Sequence, residues 1–142
     1  DGFEYWKASV PPAERRGMVL CDPPYEDRAE FKSVLKALAA GLRRWPAGTV
    51  AIWYPVKGGA ESNEFLAALE GLCKTLVVEL LIRDPSSNPD RLNGCGLTIL
   101  NPPYLLDQTL EGYLPWLAEA LSREKGASGR VWWLNPDKHT GR

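Results

Sequence analysis

Met18-Val19-Leu20-Cys21-Asp22-Pro23-Pro24-Tyr25 is the stretch on which the fold turns. Four apolar residues run directly into a carboxylate and a pair of prolines. A compact apolar run closed by residues that cannot continue a hydrogen-bonded ladder reads as a buried strand. Immediately after it, Asp27 with Glu30 three residues on resembles a capping box, with Asp in place of Ser or Thr. Phe31, Val34, Leu35, Leu38 and Leu42 then recur at helical spacing until Pro46 and Gly48 stop the helix. A strand, a proline turn and a capped helix therefore follow one another without a linker.

The same alternation extends in both directions. Residues 3–9 are compatible with a short helix. Thr49 to Tyr54, rich in β-branched and aromatic residues, is a second strand. Ser62 is placed to cap a helix bearing Phe65, Leu66, Leu69 and Leu72 on one face. Leu76 to Ile82 is a third strand, and Asp84 to Asn93 a polar loop with two prolines. Leu97 to Leu100 is a fourth strand, again closed by Pro-Pro. Leu110, Leu114, Leu117 and Leu121 mark a last helix, in which Pro115 predicts a kink. Val131 to Leu134 forms a final strand; Trp132 and Trp133 alternate across it, so one ring is expected in the core. Strands alternating with helices imply an α/β fold with a largely parallel sheet covered on both faces. The neighbouring strands 76–82 and 95–100 are the expected antiparallel edge. No repeat, low-complexity tract or linker divides the chain, so residues 1–142 read as part of one domain.

Composition narrows the function classes. The 142 residues are 44% hydrophobic and 25% charged, ordinary for a globular protein. No run of eighteen apolar residues exists, so no membrane span is expected, and no secretory leader opens the chain. Cys21, Cys73 and Cys95 are odd in number and form no CxxC pair. They read as reduced thiols in a cytoplasmic protein, with no metal site. His139, the only histidine, sits in a polar tail, which excludes a multi-histidine site and disfavours a Ser-His-Asp triad. The net charge of −1 is not the footprint of a strongly basic nucleic-acid binder. A nucleic-acid partner would need a local basic face, for which Arg15-Arg16 and Arg43-Arg44 are candidates. The chain opens on Asp1-Gly2-Phe3 without an initiator Met and has the look of the later part of a longer protein.

In open α/β sheets, ligands sit beyond the carboxyl ends of strands. Asp22-Pro23-Pro24-Tyr25 occupies such a position and suits one reaction. The exocyclic amino group of adenine is a poor nucleophile, because its lone pair is delocalised into the ring. Acceptors on both N–H bonds return that lone pair to nitrogen. The Asp22 carboxylate accepts one, and the Pro23 carbonyl accepts the other. The prolines fix the backbone and add no competing donor. Pro24 and Tyr25 shape the substrate side, the Tyr25 ring giving a face for an extruded base, worth ~1–3 kcal/mol by stacking. The methyl donor expected for this chemistry is S-adenosyl-L-methionine. Asp22 lies near its cationic sulfonium and takes up the proton after transfer. Trp53-Tyr54 ends a strand and is placed either to line the cleft or to pack.

A second copy, Asn101-Pro102-Pro103-Tyr104, also follows a strand, and this form too occurs in amino-methyltransferases. Its strand is expected at the sheet edge, away from the cofactor. Asn101 is therefore expected to make a structural turn, leaving Asp22 as the reactive carboxylate.

Several further stretches are shared with a known family. Asp1-Gly2-Phe3, Pro11-Pro12, Arg15-Arg16-Gly17 and Leu20-Cys21-Asp22-Pro23-Pro24-Tyr25-Glu26 resemble the RlmJ family of 23S ribosomal RNA adenine-N6 methyltransferases. The likeness continues through Trp53-Tyr54-Pro55-Val56, Glu79-Leu80, Asn101-Pro102-Pro103, Leu114-Pro115-Trp116-Leu117 and the Trp-rich strand at 131–134. It implies a class I S-adenosylmethionine-dependent (Rossmann-like) fold, here without its N-terminal strands. It also implies a monomer acting on 23S rRNA, naked or in an assembly intermediate. By the same resemblance, Asp22 is the catalytic carboxylate that also touches the cofactor. Asp1 and Gly2 hold the cofactor's adenosine part, and Tyr25 is the stacking residue. The family's Gly-containing cofactor loop and acidic ribose ligand have no counterpart in these residues, so this stretch alone is expected to be inactive. Two other functions share the motif: an adenine-N6 methyltransferase acting on DNA, and a non-catalytic nucleic-acid-binding domain that keeps the fold.

Overall fold

The computed structural model describes residues 2–14 and 16–134. Helix α1 (Gly2–Ser9) precedes strand β1 (Met18–Cys21), helix α2 (Ala29–Arg44), strand β2 (Thr49–Val56) and helix α3 (Glu61–Leu69). Strand β3 (Thr75–Leu81), a 3-10 turn (Pro85–Ser87), strand β4 (Gly94–Leu100), helix α4 (Leu106–Leu121) and strand β5 (Ser128–Trp133) complete the described chain.

The five strands form one sheet in the order β1-β2-β4-β3-β5. Only β1 and β2 pair in parallel; β4 is antiparallel to both of its neighbours, and β5 is antiparallel to β3. The expectation of a largely parallel sheet needs correction at the level of pairing. β1, β2 and β3 do run the same way, but β4 is inserted, reversed, between β2 and β3. The reason lies in the connection. Parallel neighbours need a crossover, usually a helix. Between β3 and β4 there is only the 3-10 turn, so the chain folds straight back. This antiparallel pair was expected at an edge; it lies inside the sheet instead.

α1, α2 and α3 cover one face and α4 the other. Val34 and Leu38 of α2, Phe65 and Leu69 of α3, and Trp6 of α1 pack on Ile52, Tyr54, Val77 and Leu100. On the opposite face Leu114 packs over Ala51, Leu76, Val78 and Ile99. Val34, Leu38, Ile52, Leu69, Leu76 and Leu100 are fully buried, each worth about 1.5–3 kcal/mol relative to exposure. α1 approaches α2 closely only because residue 41 is Gly: a Cβ there would lie 2.9 Å from the Trp6 ring nitrogen. Across the sheet, Tyr54 donates its hydroxyl to Glu79 Oε1 at 2.9 Å, and Arg130 donates to Glu79 Oε2 at 2.6 Å, so the buried carboxylate is satisfied on both oxygens.

Local readings fare unevenly. α3 starts at Glu61, so Ser62 lies inside its first turn and does not cap it, while Leu72 lies beyond the helix and is exposed. α4 continues through Pro115. Trp132 and Trp133 face opposite sides as expected, but both are half-buried. Trp132 sits under the Arg130 guanidinium, and Trp133 donates its ring N–H to Asp107 at 3.2 Å. No described helix is long and apolar enough to cross a membrane.

Candidate active site

The apolar run Met18–Cys21 pairs with Thr49–Ile52 and stops there, two prolines preventing any further ladder. β2 continues past it to Val56. From Trp53 onward β2 therefore has no partner on the β1 side among the described residues, which is where Pro55 is tolerated in a strand. Asp22 emerges at this step. It is exposed, Pro23 behind it is buried, and Pro24 is exposed again.

Tyr25 turns the chain sharply. Its φ of +52° is in the left-handed region, which costs a non-glycine residue roughly 1–2 kcal/mol. The strain is held by three contacts. The Tyr25 hydroxyl donates to the Trp53 carbonyl at 2.7 Å, where β1 no longer reaches β2. Its ring lies 4.5 Å from the Phe31 ring, tilted, and 6.1 Å from that of Trp53. Burial foremost, with the nearby Cys21, Asp22 and Glu30, holds the Tyr25 hydroxyl well above its ordinary pKa, so it stays a donor. Strain that surroundings over-determine in this way marks functional sites more often than chance. Tyr25 also lines a cavity of about 150 Å³ with Phe31, Pro55, Lys57 and Glu61. Beneath the turn, burial and then the Asp22 charge push the Cys21 thiol up to about 11, leaving it neutral.

The helix that follows has Arg28 at its cap position with no side-chain cap bond, so the expected capping box is not formed; Asp27, one residue earlier, and Glu30 satisfy neighbouring N–H groups instead. Ala29 N–H donates to Asp27 Oδ1 at 3.0 Å, and Glu30 reaches back to accept Glu26 N–H at 2.8 Å. These two bonds fix the exit from the tetrapeptide.

Asn101 has a different environment. Its φ of +49° is again left-handed, but its side chain is consumed: Nδ2 donates to the carbonyls of Pro46 at 2.8 Å and Gly48 at 3.0 Å. Its own carbonyl accepts the Thr49 hydroxyl at 2.9 Å. Asn101 is thus a structural turn, as expected, though for another reason. β4 is not at the sheet edge. It is central and reversed, so its carboxyl end lies beside Val50, at the start of β2, away from the edge reached by Asp22.

The structure thus brings Asp22, Pro23, Pro24 and Tyr25 together at one strand end. Gly2 is the exposed first residue of α1, and Asp1 lies outside the described residues, as do Arg15 and His139. Sequence reading missed Phe31 and the Trp53 carbonyl as the groups that hold Tyr25. The signal was present in Phe31 opening the apolar stripe of α2 six residues after Tyr25. Among the described residues no group of three His, Cys, Asp or Glu is placed to hold a metal.

A helix-covered sheet with this strand-end tetrapeptide has the class I methyltransferase fold. A crystal structure of a protein from Legionella pneumophila matches it with a TM-score of 0.80 at 30% identity, over 94% of this chain and 48% of that one. The chain belongs to the family described as ribosomal RNA large subunit methyltransferase D, RlmJ, whose model matches residues 1–134. It is 39% identical to ribosomal RNA large subunit methyltransferase J of Haemophilus influenzae and 35% identical to that of Escherichia coli, over 96% of this chain in each case. The chain spans about half the length of these curated relatives, 49% of each.

Proposed function

We propose that this chain is the C-terminal part of a single catalytic domain that methylates the exocyclic N6 of an adenine in 23S ribosomal RNA. The observation that carries the reading is the exposed Asp22 carboxylate at the end of β1, backed by buried Pro23 and followed by a Tyr25 ring fixed at its hydroxyl. The names of the relatives, both large-subunit ribosomal RNA methyltransferases, supply the substrate class.

An exposed carboxylate at a strand's carboxyl end fits a cationic donor, and S-adenosylmethionine supplies the methyl group together with a positive sulfonium. The rest is done by this chain's own groups. Asp22 accepts one N–H of the adenine amino group and the Pro23 carbonyl the other, which restores the nitrogen lone pair. Tyr25 and Pro24 receive the extruded base. Asp22 takes the proton that leaves the nitrogen. Asp1 and Gly2 are assigned to the cofactor's adenosine part by family resemblance.

Completion of the domain by a further segment is supported by β1. It is an edge strand among the described residues, and Met18 and Leu20, on one face of it, are each 64% exposed. An open apolar edge of this kind calls for a covering element. Three free thiols suit a reducing cytoplasm, and a monomer working on naked or assembling rRNA is the simplest form.

The test is methyl transfer by the full-length protein from labelled S-adenosylmethionine to unmodified large-subunit rRNA, beside an Asp22→Asn variant and a duplex DNA substrate. Label in adenine of RNA that disappears in the variant is expected. Label on DNA alone, or transfer that survives Asp22→Asn, would overturn the reading.

A further inference from the structure

We propose that the outer face of α2 is a phosphate-binding track that leads the RNA backbone toward Asp22. This rests on the function proposed above and extends it from the reacting base to the flanking strand.

Charge is distributed unevenly. The chain as a whole carries −1. α2 alone carries Lys32, Lys36, Arg43 and Arg44 against the single carboxylate of Glu30, a local +3. Glu30 is turned back to the helix start, where it accepts Glu26 N–H, and so does not neutralise the face. Arg44 is also set apart, donating from Nε to the Val10 carbonyl at 3.1 Å. Lys32, Lys36 and Arg43 remain, all exposed, and none makes an ion pair among the described residues. Glu4 of α1, which feels the charge of Lys36, is held by Lys7 at 2.6 Å.

Helical geometry aligns the three. At 3.6 residues per turn they fall within an arc of about 40° on one side of the helix. Val34, Ala37, Leu38 and Gly41, which are buried, occupy the opposite side. The row runs about 16 Å along the axis, at 1.5 Å per residue. A nucleic-acid strand in a duplex presents one phosphate per roughly 3.4 Å, so several phosphates can meet it. The row begins at Lys32, in the first turn of α2 and seven residues after the strained Tyr25, at the end where the base would enter. Arg28, 84% exposed and paired with Glu61, stands at that same end.

Long flexible cations spaced along a helix suit a polyanion whose sequence is irrelevant. Such contacts position the strand and leave base choice to the pocket. Binding through them releases counterions, which gives the test its quantity. In the full-length protein, affinity for an unmodified large-subunit rRNA fragment is measured as a function of salt. The variants are Lys32→Gln/Lys36→Gln/Arg43→Gln, the charge-retaining Lys32→Arg/Lys36→Arg, and an equal charge loss elsewhere, Arg91→Gln/Arg123→Gln/Lys125→Gln. The slope of log affinity against log salt should fall by about 2 in the first, at about 0.7 per single-strand contact, and hold in the other two. An unchanged slope in the first variant overturns the proposal. So does an equal fall in the Arg91/Arg123/Lys125 variant, which would make the effect one of net charge. So does a fall seen on duplex DNA and absent on RNA. Because the readout is binding, it separates from the chemistry. A track-dependent slope in a wild type that transfers no methyl would uphold the track and remove the adenine reading.

Discussion

Tyr25 offers a test in which two small substitutions should rank against ordinary expectation. Tyr25→Ala and Tyr25→Gly both delete the ring, its contact with Phe31 and its bond to the Trp53 carbonyl, so those losses cancel between them. What remains is the backbone. At φ +52° Ala keeps the left-handed penalty of about 1–2 kcal/mol, and Gly does not. Gly gives back about 0.4–1 kcal/mol through the greater freedom of its unfolded chain. The difference favours Gly by about 1 kcal/mol, in a helix-flanking turn where Gly for Ala would usually weaken the fold. For a domain of 150–250 residues this is roughly 2–4 °C in melting midpoint. The assay is thermal unfolding of the full-length variants, paired with urea midpoints. Equal midpoints, or Ala above Gly, would show that residue 25 carries no left-handed penalty once the ring and its hydroxyl bond are gone. Activity should not follow stability. Both variants lose the stacking face and should lose about ten- to a hundredfold in kcat/KM, the equivalent of roughly 1.4–3 kcal/mol.

Tyr25→Phe keeps the ring and removes only a half-buried hydroxyl bond, so a loss of about 1 kcal/mol in stability and only a few-fold fall in transfer are expected by the same assays. Asn101→Ala loses two amide bonds and a tolerant left-handed residue, for a cost of about 2–4 kcal/mol, whereas Asn101→Gly spares the backbone term. Both should still methylate at a temperature where they are folded, as judged by circular dichroism. Cys21, whose thiol is pushed up to about 11, should alkylate at pH 8 on the order of a hundredfold more slowly than an ordinary thiol, read by mass spectrometry of iodoacetamide-treated protein. The sign for stability follows from the same shift. The neutral thiol is favoured in the fold, so its contribution is complete below the ordinary thiol value of 9.0 and is lost as pH rises through about 11.

The strand, turn and helix at 18–44 were legible because each carries its own signal: an apolar run, a proline pair, and polar residues that satisfy a helix start. Helix α3 was legible in its apolar face and misread at its cap, since Ser62 lies buried in the first turn, two residues past the cap position at Ala60, and nothing in the local sequence separates those two placements. The left-handed Tyr25 had no local signal at all. Tyr has no intrinsic tolerance for that conformation. It is imposed by a carbonyl 28 residues away and by the ring of Phe31, contacts that exist only once β2 and α2 are in place.

The placement of β4 was the other blind spot, and it bears most on the site: its antiparallel pairing with β3 was expected, its insertion between β2 and β3 was not. Asp22-Pro23-Pro24-Tyr25 and Asn101-Pro102-Pro103-Tyr104 differ at one residue, and each closes a strand. Side-chain pattern says which face of a sheet a strand covers; it does not say which way the strand runs. That depends on the connection, and the missing helix between residues 81 and 94 was the one trace of it in the sequence. Reversal sends the second tetrapeptide to the start of β2, where its amide is tied to two carbonyls and cannot act on a substrate. The first ends a short strand beside a longer one, so a carboxylate is left exposed at the step between them. Two near-identical motifs thus separate into a structural turn and a reactive edge through strand direction and strand length. Exchanging their first residues should follow that logic. Asn101→Asp places a charge that cannot donate against the carbonyls of Pro46 and Gly48 and should cost stability without adding activity. Asp22→Asn should remove activity and leave the melting midpoint nearly unchanged, because Asp22 is exposed and makes no ion pair among the described residues.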